Sequence, residues 1–365
     1  MARARAALRY LTVLLSVVLV AAACGGDDGT TVDAVGPDVA IEASPAFLAS
    51  VAERSDAASY RFELDMNMRM DLGFEAIDID PDEPFVYGAQ ASPELLSMTL
   101  DLGVFFEAMI EGMGDLGAGM EAFLPDGDSM RIDMVVDGET LWMRAPAFAE
   151  IAALDPSIGA DPTLAPFLSL GEQWGRVDIG DLEGKVPASD LAALAGTQAV
   201  APEDMLSLLG DVEDVTELGT DEIRGVAVTG LRGVTTFGAL LEAQGQSIED
   251  FQEQMGMGAG MDPITAREME QAMSAFIDSP ADFAVWVDRA GMLRRFEFDM
   301  DLGAMMAELA GDLGPMMGGM EFSVGYVMDI FDYGQDVGVE VPNPENPVDL
   351  TSLFASLLAG GATIS

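Results

Sequence analysis

The chain is 365 residues long, half of them hydrophobic, with 64 acidic against 16 basic side chains and a formal net charge of −48 at pH 7. That balance excludes binding of nucleic acid phosphates or anionic headgroups through a basic surface, and the apolar half excludes a disordered acidic tail. Histidine is absent and cysteine occurs once, which removes Ser-His-Asp and Cys-His catalysis, every His-containing metal site and any disulfide within the chain.

The N-terminus carries Arg3, Arg5 and Arg9 with no acid among them, then the apolar run Leu11–Val20, then Ala21-Ala22-Ala23-Cys24. A basic start, a short apolar stretch and small residues form an export signal over residues 1–23. From Leu11 to Ala23 the segment is too short for the roughly 20 residues of a membrane-crossing helix. The cysteine after the small residues resembles the bacterial lipobox, which makes Cys24 the expected lipidation site. Residues 24–44, rich in Gly, Asp and Thr, read as a lipidated flexible tether. Its roughly 20 residues would hold the body some 25 Å from the membrane.

Ser44-Pro45 opens a short amphipathic helix in which Phe47, Leu48, Val51 and Ala52 share a face. Next comes the clearest period in the sequence. Tyr60, Phe62, Leu64, Met66, Met68, Met70 and Leu72 alternate with Arg61, Glu63, Asp65, Asn67, Arg69 and Asp71, which specifies a long strand with one apolar face. Asp78-Ile79-Asp80-Pro81-Asp82-Glu83 has the opening of a calcium loop, but Gly is missing at the sixth position and Ala89 stands at the twelfth, so a solvated turn is the expected structure.

Met130–Val136 and Glu139–Arg144 flank Asp137-Gly138, a type I′ hairpin signal. A loop of those two residues pairs Met134 with Leu141 and Ile132 with Met143, keeping the apolar residues on one face. Further strands are expected at 174–179, 223–236, 322–332 and 335–341, and short helices at 189–209. A second hairpin is expected at Phe283–Val287, turning through Asp288–Gly291, after which Phe296, Phe298, Met300 and Leu302 alternate with charged residues. Gly- and Met-rich insertions occupy 105–123, 240–277 and 304–320, the second of them partly helical by its spacing.

The order of these elements resembles a known family. Ser59–Leu64, Asp137-Gly138 before Leu141-Trp142, Glu217–Val226, Val285–Arg295 and Phe331–Pro342 together look like the lipoproteins of the LppX/LprG type in actinobacterial envelopes, which share a fold with the carrier LolA. The similarity spans about residues 45–345, leaving 346–365 as a C-terminal tail. The resemblance implies an α+β fold, with a strongly curved antiparallel β half-barrel, helices over its concave face and a lipid-sized apolar cavity between. It also implies carriage of a lipid or acylated glycolipid within the cell envelope, with an envelope transporter as partner, and it brings no catalytic motif, cofactor or metal.

The residues expected to line a lipid are Phe62, Leu64, Met66, Met68, Met70, Ile132, Met134, Leu141, Met143, Phe296, Phe298 and Met300. The 25 methionines, among them Met255, Met257, Met316, Met317 and Met320, offer thioethers to Cu(I), but without His or Cys an adaptable apolar lining is the better account of them. The competing functional classes are a structural or accessory lipoprotein with a self-filled core, a solute-binding component of a transporter, and a methionine-based copper chaperone.

Overall fold

The computed structural model describes residues 39–55, 59–71, 76–81, 83–92, 94–112, 130–154, 168–182, 215–236, 238–239, 277, 279–301, 303 and 321–359. The signal segment, Cys24, most of the tether, the helices expected at 189–209, nearly all of the Gly- and Met-rich stretches and the Met255, Met257, Met316, Met317 and Met320 groups lie outside the described residues.

Helix α1 (Pro45–Ser55) begins where Ser44 and Pro45 predict it. The Ser44 hydroxyl accepts the Phe47 N–H at 3.2 Å, satisfying a first-turn donor. Strand β1 (Tyr60–Asp71) follows, then β2 (Ala76–Ile79), β3 (Val86–Ser92), β4 (Leu95–Asp101) and helix α2 (Leu102–Gly112). Asp101 caps α2, its Oδ1 accepting from the Gly103 and Val104 N–H groups, while Oδ2 takes a 2.7 Å bond from Arg131 Nε. Next come β5 (Arg131–Asp137), β6 (Thr140–Arg144), α3 (Pro146–Leu154), β7 (Gly175–Asp178), β8 (Thr216–Ile223), β9 (Val226–Thr236), β10 (Pro280–Asp288), β11 (Leu293–Asp301), β12 (Glu321–Phe331), β13 (Val348–Asp349) and α4 (Thr351–Ala359).

The strands form one open sheet in the order β13-β7-β6-β5-β4-β3-β1-β12-β11-β10-β9-β8, with β2 also paired to β1. Every pair is antiparallel except the short β13–β7 contact. The central ladder joins β1 to β12 from Arg61↔Phe331 to Asp71↔Glu321. The sheet is strongly twisted. Arg224, at the β8–β9 turn, reaches Glu63 on β1 and Asp329 on β12, although in a flat sheet β9 would stand about 14 Å from β12, at ~4.8 Å per strand.

Phe47, Leu48 and Val51 of α1, Leu102 of α2, Ala147 and Phe148 of α3 and Phe354 of α4 join one buried cluster with the apolar face of the sheet. The helices therefore cover that face, and the architecture is an open antiparallel sheet with helices on one side, consistent with the expected half-barrel.

Four details depart from the sequence reading. The β5–β6 hairpin pairs Asp137 with Thr140, Val136 with Leu141 and Met134 with Met143. Its loop is Gly138-Glu139, with Gly138 at φ +54°, as a type II′ turn places glycine first. The register differs by two residues from a loop centred on Asp137-Gly138, and an even shift leaves each side chain on its expected face. The strand expected over 223–236 is the second arm of a hairpin whose first arm is β8. Its turn, Arg224-Gly225, has both residues at positive φ, +51° and +81°. Residues 335–341 are not a strand. Gly334 and Gly338 at φ +68° and +67° break extended backbone, and side chains rather than a strand ladder anchor the segment, the Ser59 hydroxyl donating to the Gln335 carbonyl at 2.6 Å and Arg61 Nη2 to the Val337 carbonyl at 3.3 Å. Within 346–365, set apart above as a tail, β13 and α4 bury Leu350 and Phe354.

The two ends of the sheet differ. The short turns that follow β5, β8 and β10, and the end of β3 with the start of β4, lie at one end of the sheet, while β4, β6, β9 and β11 end at the other, where the long connections leave. The Val39 N–H donates to the Arg289 carbonyl at 2.9 Å, so the chain enters the fold at the tight-turn end.

Candidate functional site

Residues directly opposite in a ladder share a face, so the strand registers place side chains across the whole sheet. One row runs Met143–Met134–Met98–Gly88–Phe62–Ile330 across β6, β5, β4, β3, β1 and β12. A second runs Ile132–Leu100–Val86–Leu64–Met328–Phe296–Val285–Leu231. A third runs Met66–Tyr326–Phe298–Phe283, and a fourth runs Ile79–Met68–Val324–Met300–Ala281. Leu141 pairs with Val136 and Val177, and Met70 pairs with Phe322. Eleven of the twelve residues expected to line a lipid thus lie on one face of one sheet, and Met70 continues their register in β1.

Burial divides this face. Phe62, Leu64, Ile132, Met134, Leu141, Met143, Phe296, Phe298 and Met300 are buried, Ile132 completely and Met143 to 1% exposure. Toward the end that carries the long connections the cover thins over β1 and β12, where Met66, Met68, Phe322, Val324 and Tyr326 are only partly buried while Phe283, Phe298 and Met300 beside them stay buried. Tyr326 stacks on Phe298 with ring centroids 4.9 Å apart and leans on Phe296 at 6.0 Å. Burial pushes its phenol up, so it is a neutral aromatic wall at any physiological pH. At the centre of the face Gly88 leaves a gap in the row that the Phe62 ring fills, and a Cβ there would strike both that ring and the Ser97 carbonyl.

The opposite face is charged. Arg295 makes a two-point pair with Asp329, at 2.5 and 3.0 Å, and Arg224 bridges Glu63 and Asp329 while its guanidinium sits 4.0 Å over the Phe331 ring. Asp65 stands in this network with its carboxyl raised above the usual range, first by burial and then by Asp329 and Glu63. Ionised Asp65 therefore costs folding energy at neutral pH, in full above its folded pKa and not at all below the ordinary carboxylate value. Asp65→Asn should raise the thermal midpoint at pH 7, and the gain should shrink toward zero as the pH falls through that window. Melts at several pH values check this, and a gain independent of pH would contradict it.

The segment with the opening of a calcium loop is part strand. Asp78 lies in β2 and pairs with Arg69 at 3.7 Å, both exposed, while Asp82 lies outside the described residues. Among the described residues no group of three or more carboxylates is arranged to hold a metal ion, and no helix is long and apolar enough to cross a membrane.

The sequence reading missed the share of this face contributed by β3, β4 and β12: Val86, Leu96, Met98, Leu100, Val324, Tyr326 and Met328. In β4 the signal was present, since Leu96, Met98 and Leu100 alternate with Ser97 and Thr99 behind the turn formers Pro93-Glu94.

No family model and no curated protein matches the sequence. Among solved structures the chain is similar to LprF from Mycobacterium bovis, at 11% identity and TM-score 0.36, covering 85% of this chain and 100% of that one. It is similar to the lipoprotein LppX from Mycobacterium tuberculosis at 12% identity and TM-score 0.33, covering 81% and 99%. A putative outer membrane lipoprotein-sorting protein domain from Vibrio parahaemolyticus matches at 9% identity and TM-score 0.21, covering 80% and 92%.

Proposed function

We propose that this chain is an exported, non-enzymatic lipoprotein. It is held on the extracytoplasmic side of the cell envelope by lipidated Cys24, and it binds a lipid or the acyl part of a glycolipid against the apolar face of its sheet for transfer to or from an envelope transporter. The observation that carries this reading is the broad, mainly apolar face, packed against the helices yet only partly covered around Met66, Met68, Val324 and Tyr326. Hydrophobic transfer at about 25 cal/mol per Å² would hold an acyl chain there without charged recognition. Methionine suits such a surface because its unbranched thioether adapts to varied chains.

One observation favours the second reading, a structural lipoprotein without ligand. Ile132, Leu141 and Met143 are already covered by the protein itself, as in a self-filled core. Met68→Trp separates the two. Under the carrier reading it blocks the partly open end, and the lipid co-purifying from the native envelope, counted by native mass spectrometry, should fall several-fold with little change in unfolding midpoint. A self-filled core would instead be overpacked and lose about 1–3 kcal/mol, with no lipid in either protein.

A further inference from the structure

Among the buried side chains of the apolar face one is out of place chemically. Gln90, on β3, is 2% exposed and pairs with Tyr60 on one side and Leu96 on the other, both on the face that carries the lipid-lining stripe. The Tyr60 hydroxyl donates to Gln90 Oε1 at 3.1 Å, and among the described residues Nε2 has no hydrogen-bond partner. If the amide is turned over, Tyr60 still satisfies only one of its two ends. The strand slips register immediately after Gln90, between Gln90 and Ser92, an irregularity that re-aims side chains locally. An amide N–H left unpaired in apolar surroundings is costly, and leucine of similar volume would fit the neighbours Leu96 and Phe62 without that cost.

We propose that Gln90 Nε2 is the polar anchor of the acyl site, donating to the carbonyl oxygen of an ester- or acid-headed chain, with Tyr60 holding the amide in the donating orientation. This rests on the carrier reading and adds to it the ligand class, an acyl carbonyl compound rather than a bare hydrocarbon. It also adds direction: the Gln90–Tyr60 row lies toward the tight-turn end, whereas Met66 and Met68 lie toward the other, so the head end of the ligand is held deep and its chain runs along the stripe toward the partly open end.

The test uses two uncharged probes of equal chain length, methyl palmitate and hexadecane, radiolabelled and equilibrated with the full-length chain. Gln90→Leu should bind hexadecane as the parent does, which also shows that it is folded, and should bind methyl palmitate about ten-fold more weakly, the factor for one lost hydrogen bond of ~1.4 kcal/mol. Tyr60→Phe should give a smaller loss on the ester alone. Equal affinities of parent and Gln90→Leu for the ester, or equal losses on both probes, would overturn the anchor while leaving the carrier reading intact. A parent chain that takes up neither probe would remove both. Should Gln90→Leu fail to fold, Gln90→Met, unbranched and without a donor, carries the same comparison.

Discussion

Asp288→Ala should lower the unfolding free energy by about 3–5 kcal/mol, the cost of leaving a buried partner charge unpaired. Asp288 sits at the β10–β11 turn with its side chain 8% exposed, and Arg294, at 16%, bonds Oδ2 through Nε at 2.7 Å and Nη2 at 2.6 Å. Its other oxygen accepts the Ala290 and Met292 N–H groups at 2.9 and 3.0 Å, which fixes the turn through Gly291 at φ +77°. Removing the carboxylate strands both amides and a guanidinium that otherwise lies 5.0 Å over Tyr333, whose hydroxyl donates to the Leu293 carbonyl. Asp288→Asn keeps an acceptor for the turn but not the charge, and should fall between. Urea unfolding of the three proteins measures this; a loss below about 1 kcal/mol for the alanine variant would show that the pair carries little.

The second large effect concerns location rather than stability. Cys24→Ala should move essentially all of the protein from the membrane fraction to the soluble fraction, because the proposed attachment is covalent and two acyl chains contribute about 0.8 kcal/mol per buried CH₂. Among the described residues no helix is long and apolar enough to cross a membrane, and the acidity of the chain repels anionic headgroups. Intact mass and fractionation decide it. An unmodified Cys24 in the parent, or a variant that still sediments with membranes, would refute the anchoring.

Side-chain parity was the most legible property of the sequence. In β1, and in β11 from Phe296 to Asp301, unbroken alternation assigned each residue to a face, and even the β5–β6 register difference left Ile132, Met134, Leu141 and Met143 where they were expected. Strand β3 was not readable because Gly88 and Gln90, which face the core beside Val86, interrupt the apolar alternation. Residues 335–341 fail for the opposite reason: Val337, Val339 and Val341 alternate well, but both sides of β1 are already taken by β12 and by β3 with β2, and no strand edge remains beside them. The thinning of cover at Met66 and Met68 had no sequence signal, since it depends on where helices from distant parts of the chain come to rest.

The central seam between β1 and β12 imposes an order of events on the newborn chain. The hairpins on either side of it are local and can form as soon as their own residues exist, giving two partial sheets, β3 to β7 and β8 to β12. Strand β1 is made first, yet Arg61 must wait for Phe331, and Val348 must then travel back to Gly175 at the far edge of the earlier half. Pairings so remote in sequence are slow to form. Until Phe331 has been made, a stripe of Tyr60, Phe62, Leu64 and Met66 stands without its principal neighbour, and that unpaired edge is open to pairing with another copy of the chain.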